Sequence, residues 1–193
     1  MKPSFDLHRL FQQPWPEGEF RLFQIGFVVN DLIGTAARWA RVFGVGPFHV
    51  LPRAGMSCTY RGAPSTVDLQ VCVAQAGPVQ IELIEQYSDG PSVFRDMFES
   101  GRTGFHQVCT LTSDYDGKKA YYQQLGYELR TELSHPGQRV AYFDTVAEFG
   151  FFTEVAEETP RFLADLTRIS RTCAEWDGSD PVRILTRGGY RTP

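Results

Sequence analysis

Phe23-Gln24-Ile25-Gly26-Phe27-Val28-Val29-Asn30-Asp31 is the stretch whose reading decides the fold. It reads as a strand of about seven residues that stops at Asn30-Asp31, a pair able to end a strand and cap a helix. Side chains alternate along a strand. Phe23, Ile25, Phe27 and Val29 therefore share one apolar face, and Gln24, Gly26 and Val28 share the other. A sheet with such faces packs one side on helices and lines a cavity with the other.

The pattern recurs. Phe105-His106-Gln107-Val108-Cys109-Thr110-Leu111-Thr112-Ser113-Asp114 is again a strand with an early glutamine and a polar capping pair at its end. A helical run follows each strand, the first ending Trp39-Ala40-Arg41-Val42-Phe43-Gly44 and the second Tyr121-Tyr122-Gln123-Gln124-Leu125-Gly126. The spacing is too long for a solenoid and suggests two copies of a βαβββ unit. Two ordinary strand-to-helix junctions would give the same local pattern.

Composition narrows the classes. The 193 residues suit one domain or two half-domains sharing a core. A net charge of −4 with scattered Lys and Arg supplies no basic stripe for nucleic acid. No apolar run reaches the roughly 18 residues that span a bilayer. Met1 to Asp6 lacks the apolar core of a signal peptide, so a cytoplasmic location is expected. Cys58, Cys72, Cys109 and Cys173 show no CxxC spacing and read as reduced, mostly buried thiols.

The rest of the chain reads in order. Residues 1–20 form an extended arm with isolated aromatics, set to pack on the body or on a neighbour. A helix spans 31–43 and ends at Gly44 and Gly46-Pro47. Strands are expected at 48–51, 57–61, 66–75 and 79–86, with Val67, Leu69, Val71 and Val73 alternating. A short helix covers Ser92 to Glu99, and Gly101 to Gly104 is the hinge between halves. Gly117 inside the second helix is a weak spot worth up to about 1 kcal/mol against Ala. Strands follow at 127–133, 139–144 and 151–157. A last helix begins near Pro160 with Phe162, Leu163, Leu166, Ile169, Cys173 and Trp176 in one stripe. The tail to Pro193 is basic and expected to be loose at its end. His49 and His135, beside turns, read as surface residues, and Tyr142 and Trp39 as packing residues rather than catalysts, with Tyr142 in reach of a cup-facing position.

Several of these segments, taken together, resemble the vicinal oxygen chelate superfamily. That superfamily includes glyoxalase I, methylmalonyl-CoA epimerase, extradiol dioxygenases, and fosfomycin and bleomycin resistance proteins. The resemblance rests on Gln24 to Val29, Asp31-Leu32, Trp39 to Pro47, Gln80-Ile81-Glu82-Leu83-Ile84-Glu85, Gly104-Phe105-His106-Gln107, Tyr142-Phe143-Asp144-Thr145 and Gly150 to Val155. It covers about residues 21 to 158, with glyoxalase I-like and epimerase-like members the nearest in pattern. It implies an α+β fold of two tandem βαβββ modules whose mixed sheet curls into a cup, with an extra C-terminal helix here. The implied divisions are an arm at 1–20, modules at 21–100 and 101–158, and a helix and tail at 159–193.

The resemblance also implies a divalent metal in the cup, held at Gln24, Glu82, Gln107 and Glu154. The pleat agrees for the glutamates, since Glu82 alternates with Ile81 and Leu83, and Glu154 with Thr153 and Val155. Taken singly, each of the four reads equally as a solvated edge residue or an amide in a polar groove. The family more often carries His at the two first-strand positions, and His106, one residue early, is expected to face the helix side unless a bulge swings it inward. Oxygen donors suit Mg or Mn, with Ni, Co or Zn as further options, and a set with two neutral amides would bind its ion weakly or purify without it.

The implied function is a metal-dependent lyase or isomerase acting on a small α-oxygenated carbonyl compound or thioester. The metal would polarise the carbonyl, stabilising an enediolate, and Glu154, or else Glu82, would abstract the α proton. The alternative is a metal-free binding or resistance protein of the same fold. An extradiol dioxygenase would want two His and one carboxylate on iron, against which the two glutamines argue. The expected partners are a small-molecule substrate and a second copy of the chain, with neither nucleic acid nor membrane.

Overall fold

A computed structural model describes residues 21–135 and 137–193; the expected arm at 1–20 lies outside the described residues. The first half runs β1 (Leu22–Val28), α1 (Leu32–Phe43), β2 (Phe48–Val50), β3 (Ala54–Tyr60), β4 (Ala63–Ala76), β5 (Val79–Gln86) and a short α2 (Val93–Met97). The second runs β6 (Gly104–Thr112), α3 (Tyr115–Gln124), β7 (Leu129–His135), β8 (Gln138–Phe143), a one-turn α4 (Val146–Phe149) and β9 (Phe152–Glu157). The C-terminal helix α5 (Pro160–Ala174) and a hairpin of β10 (Val182–Thr186) and β11 (Gly189–Arg191) complete the chain.

Eight strands close on themselves in the order β4-β3-β7-β8-β9-β6-β1-β5, with β5 pairing back to β4. The protein is therefore a mixed α+β fold whose sheet forms a cup. In each half the first strand pairs in parallel with the last, β1 with β5 and β6 with β9, and β1 joins the halves by pairing antiparallel with β6. The tail is held in the sheet as far as Arg191. Val182 to Ile184 pair in parallel with Phe48 to Val50, and Tyr190 returns alongside, so the sheet gains a branch from β4 through β2.

Periodicity explains the layering. Leu32 and Ala36 of α1 bury against Ile81, Leu83, Cys72 and Ala74 on the outer face of the first half. Tyr115 and Tyr122 of α3 pack on Ala141, Phe143 and Val155 of the second. The opposite pleats, with Ile84, Val67, Leu69, Leu133 and Phe152, point inward and meet Val93 and Phe94 of α2. Each fully buried Leu, Ile or Phe stabilises the fold by roughly 1.5–3 kcal/mol.

The two long helices start alike. Asp31 accepts from Gly34 N at 2.9 Å and Asp114 accepts from Gly117 N at 3.0 Å. A Cβ on either glycine would lie 2.1 or 2.0 Å from the capping carboxylate. The glycine expected to weaken the second helix is thus the residue that admits its cap, which contributes about 1 kcal/mol.

Two bulges change the expected faces. The β1–β6 register skips one residue at Phe23 and one at His106. Each is an extra residue in its strand, and such a residue can turn its side chain to the other face. Phe23 leaves the helix-packed face and joins Cys109, Ala156 and Phe162 in the cup wall. His106 was expected on the helix side; it is fully buried inward among Phe94, Tyr142 and Phe152. His49, expected at the surface, is fully buried on β2 with Nδ1 2.9 Å from the Tyr190 hydroxyl. The hairpin that sequence patterning missed is what covers it. Burial first, then Arg168 and Arg183, push its pKa down to about 4. The side chain of His135 lies outside the described residues.

Candidate active site in the cup

A cavity of about 690 Å³ fills the cup beneath α5. Gln24 and Gln80 enter it from β1 and β5, Glu82 from β5, and Tyr142 and Glu154 from β8 and β9. They share the inward pleat because parallel β1 and β5 set Gln24 beside Gln80 and Gly26 beside Glu82, and antiparallel β8 sets Tyr142 beside Glu154. Leu69, Val71, Val73, Ile84 and Val140 line the walls, with Phe162, Leu166 and Ile169 of α5 across the top.

Gln107 joins the two glutamates. Its Nε2 donates to Glu82 Oε2 at 2.9 Å and to Glu154 Oε2 at 3.2 Å. It reaches them across Gly26, where a side chain would occupy the same space. Gln24 does not join this set; its Nε2 donates to Gln80 Oε1 at 2.8 Å. Three of the four residues singled out by sequence thus converge directly, and the fourth lines the same cavity on a different partner. The sequence argument missed Gln80, although it precedes Glu82 by two and so lies on the same pleat.

The electrostatics follow from enclosure. Glu82 is walled by protein, with its carboxylate open only to the cavity, and desolvation followed by repulsion from Glu154 holds its pKa well above the usual range. Desolvation also raises Glu154, to about 7. Hydrogen bonds from Gln107, Cys109 and Tyr142 to that carboxylate partly offset the rise. Two like charges so close in a poorly hydrated site ionise together only with difficulty.

Beneath the glutamates, His106 Nε2 lies 3.1 Å from the Val93 carbonyl, and Nδ1 contacts the Gln107 amide. A carbonyl only accepts, so the imidazole proton sits on Nε2. Burial drives the His106 pKa down to about 4, so the ring is neutral near pH 7. A half-turn of the Gln107 amide would put its NH₂ on Nδ1 and its oxygen against the carboxyl pair, one of which would then supply a proton. Amide orientation and carboxyl protonation are linked by this geometry.

A family model described as Glyoxalase/Bleomycin resistance protein/Dioxygenase superfamily matches residues 23–142. The chain belongs to this superfamily. Several solved structures share the fold. Methylmalonyl-CoA epimerase from Mycobacterium tuberculosis is 15% identical, with a TM-score of 0.52 over 80% of this chain and 99% of that one. A hypothetical protein from Bacillus halodurans C-125 is 16% identical, with a TM-score of 0.51 over 72% and 94%. A variant of Streptomyces coelicolor methylmalonyl-CoA epimerase in complex with 2-nitronate-propionyl-CoA is 17% identical, with a TM-score of 0.50 over 74% and 97%. At these identities the likeness carries the fold. No curated protein sequence matches the chain. Among the described residues no helix is long and apolar enough to cross a membrane.

Proposed function

We propose that this superfamily member catalyses proton transfer at a carbon next to a carbonyl, as an isomerase or lyase acting on a small α-oxygenated carbonyl compound or thioester. The observation that carries the reading is one pair of enclosed carboxylates bridged by a single amide, with Glu154 held at about 7. A general base works best when its pKa lies near the operating pH. Glu154 takes the proton, and Tyr142 and Gln107 orient its carboxylate. Glu82, on the other side of the amide, is the second proton carrier. The apolar walls keep water from the carbanionic carbon.

The donor set fits a divalent cation. Two enclosed carboxylates face each other, and among the described residues no cationic side chain lines the cavity beside them. Glu82, Glu154 and Gln107 would hold the ion, with Gln24 as a fourth donor on leaving Gln80. Among the described residues no three His, Cys, Asp or Glu converge, so the set depends on amide oxygen. When bound, the ion would supply a Lewis acid to the carbonyl oxygen.

We also read residues 21–100 and 101–158 as two copies of one βαβββ unit, with 159–193 as an appendage. The matched parallel first and last strands, the bulge before each glutamine and the Asp-x-x-Gly helix starts support this. A second functional reading, a binding protein without turnover, is favoured by the apolar walls and by the helix across the cup. Proton NMR in D₂O on a panel of hydroxyketones and acyl thioesters separates the two. Deuterium entering the α position with wild-type protein, and not with Glu154→Gln, supports the enzyme. Binding without exchange for every compound supports the binding protein.

A further inference from the structure

Helix α5 comes after both halves of the cup and crosses over it. Phe162, Leu166, Ile169 and Cys173 recur at intervals of four, three and four, so they share one face of the helix. The two ends of that face rest on protein. Phe162 meets the Phe23 ring edge-on with centroids 5.9 Å apart, and the capping Thr159 Oγ1 donates to the Gly137 carbonyl at 2.7 Å. At the far end Cys173 Sγ accepts from Gln75 N at 3.2 Å and lies 3.6 Å from the Pro47 carbonyl. Gly137 belongs to the second half of the fold, and Gln75 and Pro47 to the first. The helix is therefore tied across the cup.

Between these anchors Leu166 and Ile169 turn to the cavity, whose other walls include Leu69, Val71 and Val73 of β4. The helix brings no spare charge to this face. Arg168 is matched by Asp165 at 2.8 Å and also donates to the Tyr190 hydroxyl, and Arg161 is engaged as well. The Tyr190 hydroxyl can donate in turn to His49 Nδ1, 2.9 Å away on β2. The β10–β11 hairpin thus fastens the middle of α5 to the first half, from outside the cavity. A wall already held in place spares a ligand the cost of ordering it.

We propose that α5 is the specificity element of the cup: Leu166 and Ile169, with Phe162, take up the apolar body of the carbonyl substrate, and Tyr190 is the positioning residue that keeps them there. The substrate class is then a carbonyl compound with an extended alkyl or ring body. The cavity of about 690 Å³ suits a drug-sized molecule, far more than a three-carbon hydroxyketone fills. This rests on the proposed function for the reacting end, which Glu82 and Glu154 hold, but selection by length does not depend on turnover.

Titration calorimetry with 1-hydroxyhexan-2-one and 1-hydroxydecan-2-one tests it. Each further methylene buried should tighten binding about threefold, so the longer ketone should bind about fiftyfold more tightly or better. Leu166→Ala and Ile169→Ala should each cut that preference by about fivefold. Tyr190→Phe keeps the ring, loses both hydroxyl contacts and stands outside the cavity lining. It should cut the preference by about threefold, a length-dependent loss that general destabilisation would not give. Thermal melting shows whether each variant is folded, and the wild-type comparison stands without them. Equal affinity for the two ketones, binding of neither, or variants that weaken both ketones to the same extent would overturn the proposal. A preference for length without proton exchange would sink the proposed reaction and leave α5 as the selecting wall of a binding protein.

Discussion

Gly26 makes room for Gln107. A Cβ built on Gly26 would lie 2.3 Å from Gln107 Nε2, so the bare backbone of β1 is the floor over which the amide passes to both glutamates. The obstructed atoms belong to the end of a flexible side chain, which can swing aside. Gly26→Ala should therefore change stability by less than about 1 kcal/mol. The amide, displaced, would no longer donate to Glu154, and that hydrogen bond lowers the Glu154 pKa. The midpoint of the pH–rate profile should move up from about 7. An unchanged midpoint in the alanine variant would mean that Gln107 does not set the base.

Glu154→Gln keeps shape and removes the base. Turnover should fall by about a hundred- to ten-thousandfold, with the fold retained. The same variant carries a stability signature. The folded-state pKa of Glu154 is raised from the ordinary 4.5 to about 7, so between these values the folded protein holds a proton that the unfolded chain has released. Stability from this group is complete below pH 4.5 and is lost as pH rises through 7. Urea denaturation across this range should show that decline in the parent and a shallower one in Glu154→Gln. Identical slopes would show that the carboxyl is not protonated as enclosure implies.

His106 works in the opposite sense. Its folded pKa of about 4 lies below the ordinary 6.5, so the unfolded chain binds the extra proton first and stability from this group rises with pH across that window. His106→Leu removes this rise and leaves the Val93 carbonyl without its donor. It should cost about 1–3 kcal/mol at pH 7, measured by urea denaturation. A variant as stable as the parent would mean that another donor reaches the carbonyl.

The fold was legible where alternation was regular. Val67, Leu69, Val71 and Val73 read as one face of β4 by alternation, and Leu69, Val71 and Val73 line the cavity. The glutamates of β5 and β9 were legible for the same reason. What failed to show were features set by pairing between distant strands. A bulge is a register offset between β1 and β6, and nothing local to Phe23 or His106 announces it. β10 is a run of only five residues, three of them apolar, and its Val182 gains burial only because β2 offers an edge. Two signals were present and unused. Asp31-x-x-Gly34 and Asp114-x-x-Gly117 repeat the same helix start, and Gln80 shares the pleat of Glu82.

The last prediction concerns the ion. Amide oxygens bind late transition ions more weakly than imidazole does, and the order Mn²⁺ < Co²⁺ < Ni²⁺ is followed most strongly by nitrogen donors. Both glutamines are also engaged within the cup, Gln24 with Gln80 and Gln107 with the two glutamates, so an ion must displace these bonds before it gains its own. The site should hold its ion loosely and lose it to a chelator. Replacing Gln24→His together with Gln107→His changes both terms. The imidazoles are better donors, and the Gln24–Gln80 and Gln107–glutamate amide contacts are gone. Ni²⁺ or Co²⁺ affinity, read by titration calorimetry, should rise by about tenfold or more, on the order of 1.4 kcal/mol. The rise should be smaller for Mn²⁺, whose preference for imidazole is weaker. Equal affinity in parent and double variant, or none in either, would show that these four positions do not form a metal site and would leave the cup to its carboxylates alone.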